Sequence, residues 1–407
     1  MLTGLDQLTS GELSNLRRRL RERPIGLLTH SAALDRKGRR ALEVLEDLGA
    51  TPTILFTPEH GLDGVAQAEE AVGDALAAPT VEAGSRVLSL YGTTRESLSP
   101  SAEALQSCEV LLIDLVDVGS RYYTYVWTAL LALRAAVAAG KHVVVLDRPN
   151  PLGSAPGTFE GAAQQPELLS FVGLEPLPIR HGLTLGELLA WLHERDGGSL
   201  GADGSLSVVR VKGWERNRTA STWGRPFVPP SPNMPTLETA LVYPGGCLLE
   251  GTNLSEGRGT TLPFQTVGAP WLDGLRLARE LTAAGVPGAL VRPAAFRPSF
   301  DKHAGQLCRG VMLHVTQPAL FRPVATYLQL MSLARAQAPE QFQVLDRVYE
   351  FEAERPALDL LAGTPRVRQL LLEGAPVEEL LSTLCPVDPA WPETVLEAEQ
   401  RLLRAEA

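Results

Sequence analysis

Short, uninterrupted apolar runs alternate with helix-spaced patterns through the first half of the chain, and this restricts the fold more than any other feature. Residues 25–30, 53–57, 86–91, 110–116, 142–146 and 206–211 read as strands. Residues 38–48, 125–139 and 183–194 carry apolar side chains at helical spacing, and Gly140 ends the second of these helices. A strand with no polar face is covered on both sides, and helices between such strands imply a parallel sheet with helices on each face. No GxGxxG follows the first strand and no GxxxxGK[ST] occurs, so dinucleotide and P-loop roles have no support.

At 407 residues the chain is long enough for two domains. The character changes near residue 240, which divides an N-terminal unit, 1–240, from a smaller α/β unit, 241–407. Residues 243–270 are rich in Gly, Thr and Pro and are expected to form a long ordered loop. Beyond it, 272–284, 321–334 and 366–372 read as helices, and 288–292 and 311–315 as strands. The formal net charge of −10 leaves no basic face for nucleic acid. The arginines between Arg17 and Arg23 read as a solvated helix face. Cys108, Cys247, Cys308 and Cys385 form no CxxC pair, which argues against a disulfide framework or structural zinc. No stretch has the ~20 apolar residues of a membrane span, and residues 1–10 lack a basic segment followed by an apolar one. The expectation is a cytoplasmic protein without a membrane partner.

In an open parallel sheet, ligands bind beyond the carboxyl ends of the strands. Four polar tips lie there: Pro58-Glu59-His60-Gly61, Asp117 through Tyr125, Asp147-Arg148-Pro149-Asn150, and Arg180-His181-Gly182. Together they make a site. Glu59 leaves a buried strand in a tight turn, where a carboxyl half-removed from water holds its proton longer and can act as a general acid. Its structural alternative is a helix cap or a partner to an arginine. His60 positions substrate, tunes Glu59, or simply makes a structural hydrogen bond. Asp117 lies nearer the rim than Asp114. Arg121 is suited to grip a carboxylate in bidentate fashion. Tyr123 and Tyr125 stack on a sugar face or pack the helix start. The alternative for Asp147-Arg148-Pro149-Asn150 is an internal ion pair with a proline turn.

The second half adds two stretches. The proline-locked loop 230–235 would present Ser231 and Asn233 with a fixed backbone, unless it is only a linker. Residues 250–261 carry Glu250, Asn253, Glu256 and Arg258 among glycines that allow close backbone approach. Carboxylate, amide, hydroxyl and guanidinium groups together suit an acylamino sugar. No His/Cys/Asp set has metal-ligand spacing such as HExxH.

These strings, with residues 26–30, 89–92 and 243–271, resemble the exo-β-N-acetylmuramidases of the NamZ type, once known only as a domain of unknown function (DUF1343), over nearly the whole chain. The resemblance implies a Rossmann-like domain joined to a smaller α/β domain, with the active site in the cleft between them. It implies removal of N-acetylmuramic acid from the non-reducing end of peptidoglycan fragments, and Glu59 as the catalytic glutamate. His30 stands where the family commonly has Asn, residues 65–71 lack the usual Arg-Gly and Ala-Gly spacing, and Gln265 replaces a common Glu.

Glycoside hydrolysis commonly uses two carboxyl groups, about 5–5.5 Å apart when retaining and about 6.5–9.5 Å when inverting, and no metal or cofactor. Glu59 is expected as general acid, with Glu256 first and Asp117 second as partner; assistance by the substrate's 2-acetamido group is also open. Arg121, Arg180 and Arg258 are the candidate cations for the lactyl carboxylate. The other substrate-binding expectations are His60, Tyr123, Asp147, Asn150, His181, Ser231, Asn233, Glu250 and Asn253. The expected partner is a small saccharide; a dimer is one possible assembly. The rival reading is a non-catalytic binder of amino sugars on the same fold. An esterase has no GxSxG turn to support it.

Overall fold

The computed structural model describes residues 1–73 and 86–406. Its main sheet holds β1 (Ile25–Thr29), β2 (Ile54–Thr57), β3 (Arg86–Ser89), β4 (Val110–Asp114), β5 (His142–Leu146) and β6 (Leu206–Val209). The strands lie in the order β3-β2-β1-β4-β5-β6, and every pairing is parallel. Alternate side chains explain the double-sided burial. Leu27, Leu55, Leu112 and Val144 pack with α1 (Gly4–Ser10), α2 (Ser14–Glu22) and α3 (Ala41–Asp47) on one face. Leu28, Phe56, Ile113 and Val145 pack with α4 (Ala102–Leu105), α5 (Tyr125–Ala138) and α6 (Leu185–Arg195) on the other. The doubly wound sheet therefore has the expected form. No described helix is long and apolar enough to cross a membrane.

The second half is built on α7 (Leu237–Gly246), β7 (Thr266–Ala269), α8 (Gly274–Ala284), β8 (Ala289–Phe296), β9 (Cys308–Val315) and α9 (Pro323–Gln337). Its sheet is small and antiparallel, in the order β7-β9-β8. Residues 243–270 are more regular than expected: they contain the last turn of α7, a 3-10 turn at Cys247–Gly251, and β7. Pro244 stands inside α7, and Gly245 beside it lets α9 approach so closely that a Cβ there would meet the carbonyl oxygen of Pro323 at 2.1 Å. Residues that read as turn formers serve close helix packing instead. The two halves share one apolar cluster, which runs from Leu28 to Leu402.

One buried ion pair fastens the carboxyl edge of the main sheet. Arg148 Nε and Nη2 donate to the two oxygens of Asp114 at 2.5 and 2.9 Å, and Arg148 Nη1 donates to the Leu34 carbonyl at 3.0 Å. Asp114 is wholly buried, and that burial pushes its carboxyl up against the pull of Arg148. Removing one partner strands the other charge. Arg148→Met should cost about 3–5 kcal/mol in urea unfolding. The double variant Arg148→Met/Asp114→Leu should recover most of that loss.

Candidate active site

The site begins with the turn after β2. His60 and Gly61 both have left-handed backbones, φ 70° and 78°, which bend the chain sharply beyond Glu59. Three donors fix the turn. Thr124 Oγ1 donates to Glu59 Oε2 at 2.6 Å, the Glu69 N–H donates to Glu59 Oε1 at 3.2 Å, and Tyr125 Oη donates to the Glu59 carbonyl at 3.1 Å. Tyr125 Oη also lies 2.9 Å from the Pro230 carbonyl, tying the β2 turn to the proline loop. His60 Nδ1 is 2.7 Å from the Ala66 carbonyl, and Nε2 lies 4.0 Å from Glu59 Oε1. His60 thus holds the loop that covers Glu59.

Glu59 and His60 face a small cavity. The N-terminal unit contributes Glu69, Tyr123, Thr124, Ser231 and Asn233 to its walls, and the second half contributes Tyr243, Glu250, Arg258, Phe264, Tyr349 and Glu350. Asn233 Nδ2 donates to Gln67 at 3.0 Å, so the proline loop is joined to the segment after the β2 turn. Glu250 is fully engaged: Arg258 donates to Oε1 at 2.5 Å and Tyr349 Oη to Oε2 at 2.6 Å. The Arg258 guanidinium stacks 5.1 Å from the Phe264 ring centroid. Left-handed backbone at non-glycine residues gathers here. His60, Glu69 (φ 62°), Phe264 (64°) and Glu350 (46°) line the cavity, and Phe351 (67°) adjoins it. Such conformations cost about 1–3 kcal/mol each and persist where surrounding structure over-determines them, commonly at functional sites.

The cavity holds four carboxyl groups: Glu59, Glu69, Glu250 and Glu350. Crowding shows in their protonation. Burial, with the charges of Glu250 and Glu59, pushes the Glu69 carboxyl up to about 7, against the pull of Arg347, whose guanidinium lies 3.8 Å away. Glu350 is raised well above the usual carboxylate range, by burial first and then by Glu59 and Glu69. Tyr91 Oη donates to Glu350 Oε2 at 2.9 Å.

Other expected site residues lie elsewhere. Glu256 is buried outside the cavity, with Lys302 donating to Oε2 at 2.8 Å and Arg258 Nε 3.4 Å from Oε1. Asp117 accepts the Gly119 N–H at 3.0 Å, stands 3.6 Å from His181, and lines a separate hollow beside Arg148 and Trp223. Burial raises Asp117 to about 7 and lowers His181 to about 4. Arg121 donates to the carbonyls of Ala162, Leu177 and Leu361 at 2.6–2.7 Å, and Arg180 to that of Leu152 at 2.7 Å. Asp147 accepts from Thr184 Oγ1 and the Gly186 N–H at 2.8 Å, at the start of α6. Asn150 joins Leu152 to Leu183, and Asn253 joins the chain at Gln341 and Gln343. Arg121, Asp147, Asn150 and Arg180 share one reason. The loops beyond β4 and β5 are covered by the second half, and their buried carbonyls and N–H groups need partners.

A doubly wound sheet whose carboxyl edge opens on a cavity of paired acids, hydroxyls and aromatic faces has the make-up of an acid–base hydrolase for sugars. Two family descriptions match the chain: "Exo-beta-N-acetylmuramidase NamZ, N-terminal" over residues 25–238 and "Exo-beta-N-acetylmuramidase NamZ, C-terminal" over 241–395. The chain is 39% identical to "Peptidoglycan beta-N-acetylmuramidase NamZ" of Bacillus subtilis (strain 168), over 94% of this chain and 86% of that protein. Two crystal structures of DUF1343 family proteins from Bacteroides fragilis NCTC 9343 share the fold. One has a TM-score of 0.79 at 26% identity, the other 0.68 at 23%; each alignment covers 99% of this chain and 98% of the other. The chain belongs to the NamZ family of exo-β-N-acetylmuramidases.

The raised Glu69 carboxyl links stability to pH. Its proton is bound more tightly in the folded than in the unfolded chain, so its contribution is full below the ordinary value of 4.5 and is lost as pH rises through about 7. Glu69→Gln removes this dependence. The melting temperatures of Glu69→Gln and wild type should be close near about pH 5, and the variant should gain an advantage by about pH 8. A gap that stays constant across that range would contradict the placement of Glu69.

Proposed function

We propose that this cavity hydrolyses the glycosidic bond of a terminal N-acetylmuramic acid on peptidoglycan fragments, with Glu59 as one of two catalytic carboxyl groups. The observation that carries the reading is the placement of Glu59. It is nearly buried, its two oxygens are held by Thr124 and by the Glu69 N–H, and it lies on the wall of a cavity that further carboxyls share. Family membership and the 39% identity to a peptidoglycan β-N-acetylmuramidase support the substrate class.

The walls suit that substrate. Tyr123, Tyr243 and Phe264 offer aromatic faces, and Ser231 and Asn233 offer neutral hydrogen-bonding groups on a loop stiffened by proline. Arg258 is the expected arginine that reaches the cavity, and it is the group we assign to the lactyl carboxylate. Because Glu250 and Glu256 already flank Arg258, the substrate anion shares this guanidinium rather than neutralising it alone.

Incubation of the protein with a muramyl-glucosamine disaccharide should release free N-acetylmuramic acid. Glu59→Gln should lower turnover by about 10²–10⁴-fold with an unchanged melting temperature. Saturable binding with no product from the wild-type protein would instead establish a sugar binder.

A further inference from the structure

We propose that Glu350 is the proton donor to the departing glycosidic oxygen, and that Glu59 is the carboxylate that works opposite it. The inference rests on the glycosidase reading and reverses the role expected for Glu59 from sequence.

Four observations carry it. First, Glu59 and Glu350 line the same cavity from opposite halves of the chain, whereas Glu256 is buried outside it and Asp117 lines a different hollow. Second, both oxygens of Glu59 are taken up as acceptors, from a hydroxyl at 2.6 Å and an amide at 3.2 Å. These two bonds fix the orientation of the carboxyl group on the cavity wall. Third, among the described residues Glu350 has a single side-chain donor, Tyr91 Oη on Oε2, and it lies among like charges: Glu59, Glu69 and Glu250. A buried carboxyl in that company keeps its proton, the condition for a general acid at neutral pH. Fourth, the backbone is specially shaped to put it there. Glu350 and Phe351 are consecutive non-glycine residues with left-handed backbone, and the paired Tyr349 and Glu352 close the turn with reciprocal N–H···O bonds of 2.9 Å. Phe351 packs edge-on to Tyr91 at 5.4 Å and Phe171 at 6.1 Å, and Tyr349 Oη is held by Glu250. The turn is thus anchored on both sides of Glu350, and the cost of its conformation is met by these contacts.

The step balances as a hydrolysis. The bond from C1 to the glycosidic oxygen breaks, its electron pair stays on that oxygen, and the oxygen takes the proton of Glu350. The oxygen of a water molecule bonds to C1, and its proton passes to the Glu59 carboxylate. Exchange with solvent returns the proton from Glu59 to Glu350.

The test compares leaving groups. A sugar alcohol leaves poorly and needs protonation; a dinitrophenolate leaves without it. Glu350→Gln keeps an oxygen to accept the Tyr91 hydroxyl. On the muramyl-glucosamine disaccharide it should lose about 10²–10⁴-fold in kcat/KM. On a dinitrophenyl muramide it should stay within about tenfold of wild type, because the proton is no longer required. Glu59→Gln should lose comparable activity on both substrates. If Glu350→Gln does not fold, Glu350→Asp, which withdraws the acid by one methylene, takes its place in the same comparison. Equal losses on both substrates for the Glu350 variant, or near wild-type activity on the disaccharide, would overturn the assignment. So would a leaving-group dependence confined to Glu59→Gln. A wild-type protein inactive on both substrates would refute the glycosidase reading itself.

Discussion

Four carboxyl groups crowd one small space, and the layout of the site follows from that crowding. Each is relieved in a different way. Glu250 is clasped by Arg258 and Tyr349. Glu59 is braced by Thr124 and the Glu69 amide. Glu69 stands near Arg347 with its carboxyl pushed up to about 7, and Glu350 is raised well above the usual carboxylate range. Such a separation of environments lets neighbouring acids take opposite parts in one reaction. It also explains the unfavourable backbone at Glu69 and Glu350, where packing must hold side chains that electrostatics would spread apart.

The main sheet was legible in the sequence because burial on both faces leaves unbroken apolar runs. The strand tip at Glu59 was legible for a related reason: a polar turn directly after such a run has only the ligand edge of the sheet to occupy. Ser231, Asn233, Glu250 and Arg258 also line the cavity, and each lies in a stretch where proline or glycine stiffens or thins the backbone. The antiparallel pairing of the small sheet was less visible. Pro244 and the glycines beside it read as loop, although they allow two helices to touch.

Side-chain direction was not legible. Arg121, Asp147, Asn150, Arg180 and His181 sit at strand tips or in the loops beyond them, as the sequence indicates, yet they turn inward to serve buried backbone groups. That demand comes from the fold of the loops themselves and, for Arg121, from the Leu361 carbonyl of the second half, which no local pattern records. Glu69 and Glu350 were missed for the complementary reason. Both adopt left-handed backbone that a sequence normally signals with glycine, so nothing marked their segments as turns into the cavity. Tyr349 and Thr124 act through partners distant in sequence, Glu250 and Glu59, and were equally silent.

The apolar cluster that runs without a break from Leu28 to Leu402 has a further bearing on how a polymer is handled. Two lobes joined through a common apolar interior resist opening like a jaw, so the chamber between them favours the end of a strand over its middle. A rigid weld between lobes is therefore a physical reason to trim glycan chains from a terminus, one residue at a time.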